Sequence, residues 1–495
     1  MDLEPVIGLE IHVQLKTASK MFCACANVSD ETRPNTAVCP VCLAEPGALP
    51  VVNAQALALG LQTALALNAT INTRVRFDRK SYFYPDLPKG YQITQFHLPV
   101  GVDGTLAYDV DGQARSAAIE RVHLEEDAAK LLHRDQATLI DFNRAGTPLL
   151  EIVTGPVFHA PGEARAFLEE LKLLLRAIGV SDADMEKGQL RVDANVSLRP
   201  AGTNELHPKT EIKNLNSFRA IERALTFEVT RQAALWQTGS PPDAASTRGW
   251  DDMKGETVER REKEAAHDYR YFPEPDLPPI VYAQQDIERL QKELPELPAA
   301  KRTRFGRLYL FTEGDARVLT RDHALANFTE QVISELKDWL KTEDPKSRGA
   351  TWQVHKREFT KLVANWLINR LVPLFGERGQ IVPGKVTAEN FAEFLTYVWA
   401  EEISAPAAQE VLTAMVETGA DPSNIIDERG LRTVKDAQAL AGIVDRVLAK
   451  FPKQVAEYRS GKTPVLQFLV GKVMAETRGT ADPKIVTDVI VHKFQ

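Results

Sequence analysis

The sequence contains no run of 18 apolar residues, which excludes a transmembrane helix of ordinary length. Three familiar loops are also missing: the phosphate-binding G-x-x-x-x-G-K-[S/T], a strand-placed G-x-G-x-x-G, and the G-x-S-x-G nucleophile elbow. The amino terminus, Met1–Pro5, is acidic and lacks the basic and apolar regions of a signal peptide. We therefore expect a cytoplasmic protein without membrane contact.

A basic character along the whole chain is absent too, since the 495 residues carry a net charge of −8. Residues 441–495 are the exception, because their nine basic and five acidic residues give a net charge of +4. A basic tail on an acidic body is typical of a localised contact with a phosphate backbone. An ordinary solvated helical surface is the alternative interpretation of the same charges.

The composition is that of a globular protein, with 44% apolar and 26% charged residues. Residues 7–15 alternate strictly between apolar and polar, and residues 190–199 do the same, so both predict strands with one buried face. Amphipathic runs over residues 53–67, 161–178 and 218–237 predict helices between the strands.

The proline-rich stretch 273–298 predicts an extended boundary, and beyond it the periodicity is helical throughout. The predicted fold class is therefore α+β, with a large mixed α/β domain that carries a zinc knuckle over residues 1–295. An all-α helical domain over 296–405 and a small all-α tail domain over 406–495 follow. Within the tail we expect one helix over 436–459 and two helices that begin at Thr463-Pro464 and Asp482-Pro483, each with an N-cap residue before a proline.

All four cysteines of the chain lie within 20 residues, as Cys23, Cys25, Cys39 and Cys42. Two close thiolate pairs separated by a loop can converge on one tetrahedral zinc ion. In a reducing compartment this interpretation is favoured over disulfides, and buried free thiols are the alternative. A zinc ion with four thiolate ligands has no open position, so the predicted site is structural.

Carboxylates and a histidine predict a second metal site. Glu10 and His12 share the polar face of the first strand, and an acidic cluster follows at residues 123–127. Glu151 lies among apolar residues, where a buried carboxylate needs a cation or a hydrogen-bond donor. Such a set suits a Mg²⁺ ion that also holds a phosphate, whereas the alternative is a surface network of salt bridges. The loop at residues 79–92 mixes cations with aromatics, and it could hold phosphate, stack a base or simply be rigid.

Several long motifs resemble those of one family, the B subunits of heterotrimeric glutamine-dependent aspartyl/glutamyl-tRNA amidotransferases (the GatB family). The similarity extends over essentially the whole chain and is densest before residue 280. The matching stretches are Gly8–His12, Ser19–Cys23, Pro34–Leu43, Asp78–Gln92, His123–Asp127, Asn143–Val153, Glu211–Phe218, His267–Pro278 and Gly471–Met474. Ala44 and Ala129 stand where glycine is usual in the family, and Arg478–Pro483 is a variant of its tail motif.

The resemblance implies an ATP-dependent carbon–nitrogen ligase that corrects misacylated Asp-tRNA(Asn), Glu-tRNA(Gln) or both. The B subunit uses ATP and Mg²⁺ to phosphorylate the tRNA-borne carboxylate, and ammonia displaces the phosphate. An amidase A subunit supplies ammonia through a tunnel, and a small C subunit completes the heterotrimer. The implied partners also include the tRNAs and a non-discriminating aminoacyl-tRNA synthetase. The family's active site lies in a cradle domain, and its helical and tail domains hold the tRNA.

The family's Mg²⁺ cluster falls here on Glu10, His12, Glu151 and one of the pair Glu125 and Glu126. The resemblance further implies a charged tunnel wall that includes Lys80, Lys89 and Asp193, and a structural zinc on the four cysteines. Two rival hypotheses remain: a non-catalytic, zinc-stapled tRNA-binding subunit, and an unrelated Mg²⁺-dependent ligase.

Overall fold

The computed structural model describes residues 2–28, 33–259, 269–343, 350–375, 384–434, 436–477 and 479–494. His267 and Asp268 of the family motif and Arg478 of the basic tail lie outside these residues. The chain divides into two compact units, Met1–Ala300 and Lys301–Gln495. No described helix has the length and apolar character that crossing a membrane requires.

The first unit mixes strands and helices, as the alternating and amphipathic patterns predict. Its strands are β1 (Leu3–Gln14), β2 (Thr70–Ile71), β3 (Arg74–Ser81), β4 (Tyr91–Leu98), β5 (Gly101–Val110), β6 (Gln113–Glu126), β7 (Lys130–Arg134), β8 (Ala137–Asp141), β9 (Pro148–Thr154), β10 (Leu190–Pro200), β11 (Thr210–Leu215), β12 (Ser246–Asp251), β13 (Glu256–Glu259), β14 (Phe272–Pro273) and β15 (Ile280–Val281). Its helices are α1 (Ala54–Ala66), α2 (Pro161–Ala177), α3 (Phe218–Gln237) and α4 (Gln284–Glu293). The α+β class is confirmed, whereas the domain boundaries at 295 and 405 stay predictions.

One large sheet organises this unit, in the order β13-β12-β11-β10-β1-β9-β6-β4-β3-β14. β5 pairs with β6 and with β2, β15 pairs with β3, and β7 and β8 form a separate hairpin. Most pairs are antiparallel, and β11 with β12 is parallel. β1 is therefore an interior strand with β10 on one edge and β9 on the other.

The apolar face of the sheet forms the core with α1, α2 and α3. Ile7, Leu9, Ile11 and Val13 of β1 are at most 1% exposed on this face. Because side chains alternate along a strand, the polar residues of β1 lie on the opposite face, away from the helices. The alternation of the sequence thus fixes which face of the sheet is free for chemistry.

The second unit is helical in its described residues. Its elements are α5 (Pro298–Tyr309, which begins just before the division), α6 (Glu313–Thr320), α7 (His323–Glu343), α8 (Ala350–Trp366), a π-helical turn (Leu367–Leu371), α9 (Val372–Leu374), α10 (Ala388–Trp399), α11 (Ala405–Thr418), α12 (Pro422–Arg429), α13 (Ala437–Lys450), α14 (Pro452–Arg459), α15 (Val465–Glu476) and α16 (Pro483–His492). One core cluster extends from Phe305 to Leu431, and a smaller one extends from Leu440 to Ile490.

Two of the tail predictions are wrong in detail. The single helix expected over 436–459 is interrupted at Phe451, because Pro452 cannot donate the hydrogen bond that would continue α13. Thr463 does not cap α15, whose N-cap position is Pro464 without a side-chain hydrogen bond. The expectation for Asp482 is confirmed, since its carboxylate accepts the N–H groups of Lys484 and Ile485.

A buried carboxylate connects α3 to the far end of the sheet. Glu228 is fully buried and accepts hydrogen bonds from Thr257 Oγ1 at 2.9 Å, Gln232 Nε2 at 3.0 Å and Arg231 Nε at 3.0 Å. Burial raises the pKa of Glu228, but the hydrogen bonds from Arg231 and Gln232 outweigh it and lower the pKa below its ordinary value of 4.5. The ionised form of Glu228 is therefore stabilised by folding.

We predict that Glu228→Gln lowers the free energy of unfolding at neutral pH by about 1–3 kcal/mol, because buried donors lose their charged acceptor. A group whose pKa is depressed by folding stabilises the protein above its unfolded pKa and ceases to do so as the pH falls. The difference between the wild type and the variant should therefore shrink below about pH 4.5. Thermal unfolding followed by circular dichroism across pH measures this, with Glu169→Gln on the surface of α2 as the matched control. An equal effect of both substitutions would contradict the assignment.

Candidate functional site

The polar face of the sheet gathers chemical groups from four adjacent strands. The pairing register places Arg191 of β10 opposite His12 of β1, His12 opposite Glu151 of β9, and Glu151 opposite His123 of β6. Residues directly opposite each other on neighbouring strands project from the same face. A single row of side chains across the sheet therefore consists of an arginine, a histidine, a glutamate and a histidine.

Two side chains of this row, His12 and Glu151, converge with Glu125 of β6 closely enough to share one cation. His12 Nε2 lies 3.4 Å from Glu125 Oε1 and 3.5 Å from Glu151 Oε2. One ligand atom from each of His12, Glu125 and Glu151 lies within 4.8 Å of the others. Two carboxylates suit Mg²⁺ or Mn²⁺, and the imidazole can complete such a set. We call His12, Glu125 and Glu151 the cation cluster.

The electrostatics of the cation cluster indicate that it needs a positive charge. Burial lowers the pKa of His12, but the hydrogen bond with Glu151 and the charges of both glutamates outweigh burial and raise the pKa to about 9. Burial and the charge of Glu151 raise the pKa of Glu125. For Glu151, burial opposes ionisation, yet the charges and hydrogen bonds of His123 and His12 lower its pKa well below 4.5. A divalent cation bound here would neutralise the charge of the two glutamates that the fold brings together.

The sequence argument did not assign His123 to the site, although this residue opens the acidic motif. Its Nε2 lies 3.1 Å from Glu151 Oε2 and 3.9 Å from Glu125 Oε2. Its Nδ1 is buried and has no hydrogen-bond partner among the described residues. The two-residue spacing between His123 and Glu125 on one strand was the available signal, since it places both on the same face.

Glu10 lies on the same face but is not part of the cation cluster. Its carboxylate accepts a hydrogen bond from Asn195 Nδ2 at 3.2 Å, and the register places Glu10 opposite Asp193. Asp193 in turn forms an ion pair with Lys213 at 2.8 Å, and Lys213 also contacts Glu211. Glu10 and Asp193 thus form a second polar row beside the cation cluster.

The two neighbouring glutamates of β6 lie on opposite faces. Glu125 belongs to the cation cluster and accepts a hydrogen bond from Thr94 Oγ1 at 3.3 Å. Glu126 pairs instead with Lys89 Nζ at 2.8 Å and accepts the N–H of Ile93 at 3.0 Å. The motif alone does not indicate whether Glu125 or Glu126 is the metal ligand. In the structure only Glu125 of these two lies in the cation cluster.

Lys80 lies near the end of β3, and Lys89 lies in the loop between β3 and β4. Lys80 Nζ is 4.8 Å from the centroid of the Tyr269 ring. Burial lowers the pKa of Lys80, but the charge of Glu125 contributes to a net increase of that pKa. Lys89 and Glu126 line a cavity of about 240 Å³ that is also lined by Cys23 and Cys42. Lys80 is thus near the cation cluster, whereas Lys89 is near the cysteines.

The four cysteines form a compact group that fits a zinc ion. Their Sγ atoms all lie within 4.8 Å of one another, and none of the four is in a disulfide. Tetrahedral zinc with Zn–S bonds of about 2.3 Å requires sulfur separations of about 3.8 Å. Cys39 Sγ and Cys42 Sγ are 3.8 Å apart. The donor set and its spacing therefore match a structural zinc site.

The turn that carries Cys39 and Cys42 places a backbone hydrogen-bond donor on one of the four sulfurs. The Cys39 N–H donates to Cys42 Sγ at 3.1 Å. The hydrogen bond with Cys23 is the main factor that lowers the pKa of Cys42, to about 4, against the opposing effect of burial. Ala44, just after the turn, has a left-handed backbone with φ of 57°, a conformation that favours glycine.

Comparison with known proteins agrees with this geometry. The family described as the GatB/GatE catalytic domain matches residues 5–288, and the GatB domain matches residues 353–494. The B subunit of the aspartyl/glutamyl-tRNA(Asn/Gln) amidotransferase of Moorella thermoacetica is 45% identical over 500 residues, which cover 100% of both chains. The protein of the same name from Thermotoga maritima is 43% identical, over 99% of this chain and 98% of that one. The resemblance of the motifs is confirmed, and the chain belongs to the GatB family.

Proposed function

We propose that this chain is the B subunit of an amidotransferase that converts misacylated Asp-tRNA(Asn), Glu-tRNA(Gln) or both into the correct amides. The observation that carries the proposal is the cation cluster of His12, Glu125 and Glu151, within a chain similar over its full length to proteins of that name. The reaction class is ATP-dependent carbon–nitrogen ligation, with glutamine as the source of ammonia.

The chemistry has two steps at the side-chain carboxylate of the tRNA-borne amino acid. A carboxylate oxygen attacks the γ-phosphorus of ATP, the bond to the β-phosphate oxygen breaks, and ADP leaves. Ammonia then attacks the carbonyl carbon of the acyl phosphate, and phosphate leaves as the nitrogen loses a proton. Both steps accumulate negative charge on phosphate oxygens, so an active site for them needs preorganised positive charge.

The cation cluster would hold Mg²⁺, which neutralises phosphate charge when bound. Around it, His123 positions the Glu151 carboxylate through the 3.1 Å contact, and Lys80 adds a positive charge from β3. Arg191 extends the row beyond His12, and its guanidinium is fixed by Asp127 at 2.8 Å. These neighbours support a site for an anionic substrate on the polar face of the sheet.

The second polar row supports a path for ammonia. Glu10, Asp193 and Lys213 present acceptors and donors close together, and Lys89 with Glu126 does the same beside the cysteine cavity. Ammonia can exchange hydrogen bonds with such groups without entering bulk water. We assign the release of ammonia from glutamine to a partner amidase A subunit. A small C subunit and a non-discriminating aminoacyl-tRNA synthetase complete the proposed partners.

The domain layout that we propose is a catalytic cradle domain at 1–295, a helical domain at 296–405 and a tRNA-binding tail at 406–495. The charge of the tail supports this role. Arg446, Lys453 and Lys484 are exposed and have no carboxylate partner among the described residues. Lys450 and Lys493, in contrast, are paired with Glu476 and Asp445. The unpaired cations are the ones available to phosphate groups.

We predict that Glu125→Gln and Glu151→Gln each reduce tRNA-dependent ATP cleavage and amide formation at least about 100-fold, because removing one stabilising group typically costs this much. The loss should be the same with ammonium chloride and with glutamine as nitrogen donor. The assay uses the assembled enzyme with misacylated tRNA, and Glu120→Gln on the exposed side of β6 is the matched control. Rescue by ammonium would place the defect in ammonia supply and refute the metal assignment.

Glu10→Gln provides a separate test of the second polar row. If Glu10 serves the ammonia path, the variant should lose glutamine-driven amidation while ATP cleavage is affected less. If Glu10 is a metal ligand, as the family motif implies, both activities should fall together as in Glu151→Gln. The ratio of amide formed to ATP cleaved distinguishes these roles.

We predict that removal of residues 436–495, which contain the smaller core cluster, weakens tRNA binding. Basal glutamine hydrolysis by the partner amidase should persist. Because counterion release drives phosphate contacts, the affinity of the intact protein should fall with salt more steeply than that of the truncated one. Binding measured at several salt concentrations, with Arg446, Lys453 and Lys484 also replaced together by alanine in the full chain, checks this. Unchanged tRNA affinity in both variants would show that the tail does not contact tRNA.

We predict about one zinc ion per chain, bound by the four cysteines. Cys39→Ser should lower the melting temperature far more than it changes the activity of the protein that remains folded. Metal analysis and thermal unfolding measure the two quantities. Four freely titrating thiols in a zinc-free protein would show that the cysteines are buried free thiols.

A further inference from the structure

A lysine is completely buried beside the cysteine group. Lys20 is 0% exposed and is among the largest fully buried side chains of the described residues. Burying an ammonium group costs several kcal/mol unless hydrogen bonds and a nearby negative charge compensate it. The position of Lys20 therefore requires an explanation that neither the ATP site nor the tRNA contact provides.

The ammonium group of Lys20 has three partners. It donates to the carbonyl oxygens of Ala37 at 2.7 Å and Phe142 at 3.2 Å, and it lies 3.8 Å from Cys42 Sγ. These contacts match the three N–H donors of a lysine. Among the described residues no carboxylate forms an ion pair with Lys20, so the sulfur is the partner that can carry a negative charge.

Zinc held by four thiolates carries a net charge of about −2, since four negative ligands surround a divalent ion. Cys42 is the most buried of the four cysteines, at 5% exposure, so water screens the charge on its sulfur least. Among the described residues, the Cys39 N–H and Lys20 Nζ are the nitrogen donors that reach this sulfur. A buried cation that has no carboxylate partner among the described residues thus lies beside a buried sulfur that is negatively charged when it binds zinc.

Lys20 also connects the cysteine loop to the polypeptide that leads into β9. Asn143 reinforces this connection, because its Oδ1 accepts the N–H groups of Thr36 and Ala37 at 2.8 Å each. The stem of Lys20 packs on Gly146, whose left-handed backbone has a φ of 81°. The lysine is therefore held in place from several directions, as a positioned functional group would be.

We propose that Lys20 is the charge-compensating partner of the zinc site, and that its ammonium group stabilises the zinc-bound thiolates through Cys42. This inference rests on the proposed zinc site. It adds that the affinity of the cysteines for zinc depends on a residue that is not a ligand. Losing such an outer partner typically weakens metal binding 10–100-fold.

The test compares zinc affinity and thermal stability of the full-length chain and of Lys20→Met, which keeps the length of the side chain and removes the charge. We expect the zinc dissociation constant, measured by competition with a chromogenic chelator, to rise about 10–100-fold. We also expect Lys20→Met to lower the melting temperature of the zinc-loaded protein but not that of the zinc-stripped protein. Without zinc the buried ammonium group has no anionic centre to pair with, so its removal does not destabilise the fold. Lys187→Met, an exposed lysine, is the matched control and should change neither quantity.

A purely structural lysine gives a different result. It would lower the melting temperature equally with and without zinc and leave the zinc affinity unchanged, and this outcome would overturn the proposal. If Lys20→Met does not fold, Lys20→Arg and Lys20→Gln replace it. Charge compensation requires the Lys20→Arg protein to bind zinc more tightly than the Lys20→Gln protein. Equal zinc affinities of these two variants would refute the proposal. A wild-type chain that binds no zinc would overturn the zinc site itself, which distinguishes the two failures.

Discussion

The antiparallel pairing of β1 with β9 on one edge and with β10 on the other sets the geometry of the first unit. A shift of one residue in this register would move Glu10 and His12 into the helical core and bring Ile11 to the polar face. Each buried aliphatic side chain of β1 contributes about 1.5–3 kcal/mol against such a shift. The hydrophobic core on one face of the sheet thereby fixes the positions of the charged groups on the other face.

The sequence predicted the parts of the site that depend on one strand at a time. Alternation along β1 placed Glu10 and His12 on the polar face, and the cysteine spacing predicted a compact metal site. The choice between Glu125 and Glu126, and the participation of His123, depend on how β6 pairs with β9, which the motif does not encode. Glu10 departs from the expected cluster because Asn195, 185 residues away, holds its carboxylate. Contacts between distant strands therefore account for what single-strand patterns could not predict.

The charges on the polar face are balanced in two different ways. Asp193 and Asp127 each pair with a lysine or an arginine, whose charge is permanent at neutral pH. Glu125 and Glu151 instead contact two histidines, His12 and His123. Among the described residues of this face, the cation cluster is thus the group whose ligand atoms lie close enough to share a divalent cation.

The central position of β1 has a consequence for the synthesis of the protein. Gly8 pairs with Asn195, so β1 leaves the ribosome long before its partner strand has been made. At typical elongation rates of about 5–20 residues per second, that interval is roughly 10–40 s. Until β9 has been made, an alternating strand with an apolar face has two unpaired edges, a configuration that invites association with other chains. The edge that pairs with β10 stays open to such association until Pro200, the partner of Leu3, has emerged.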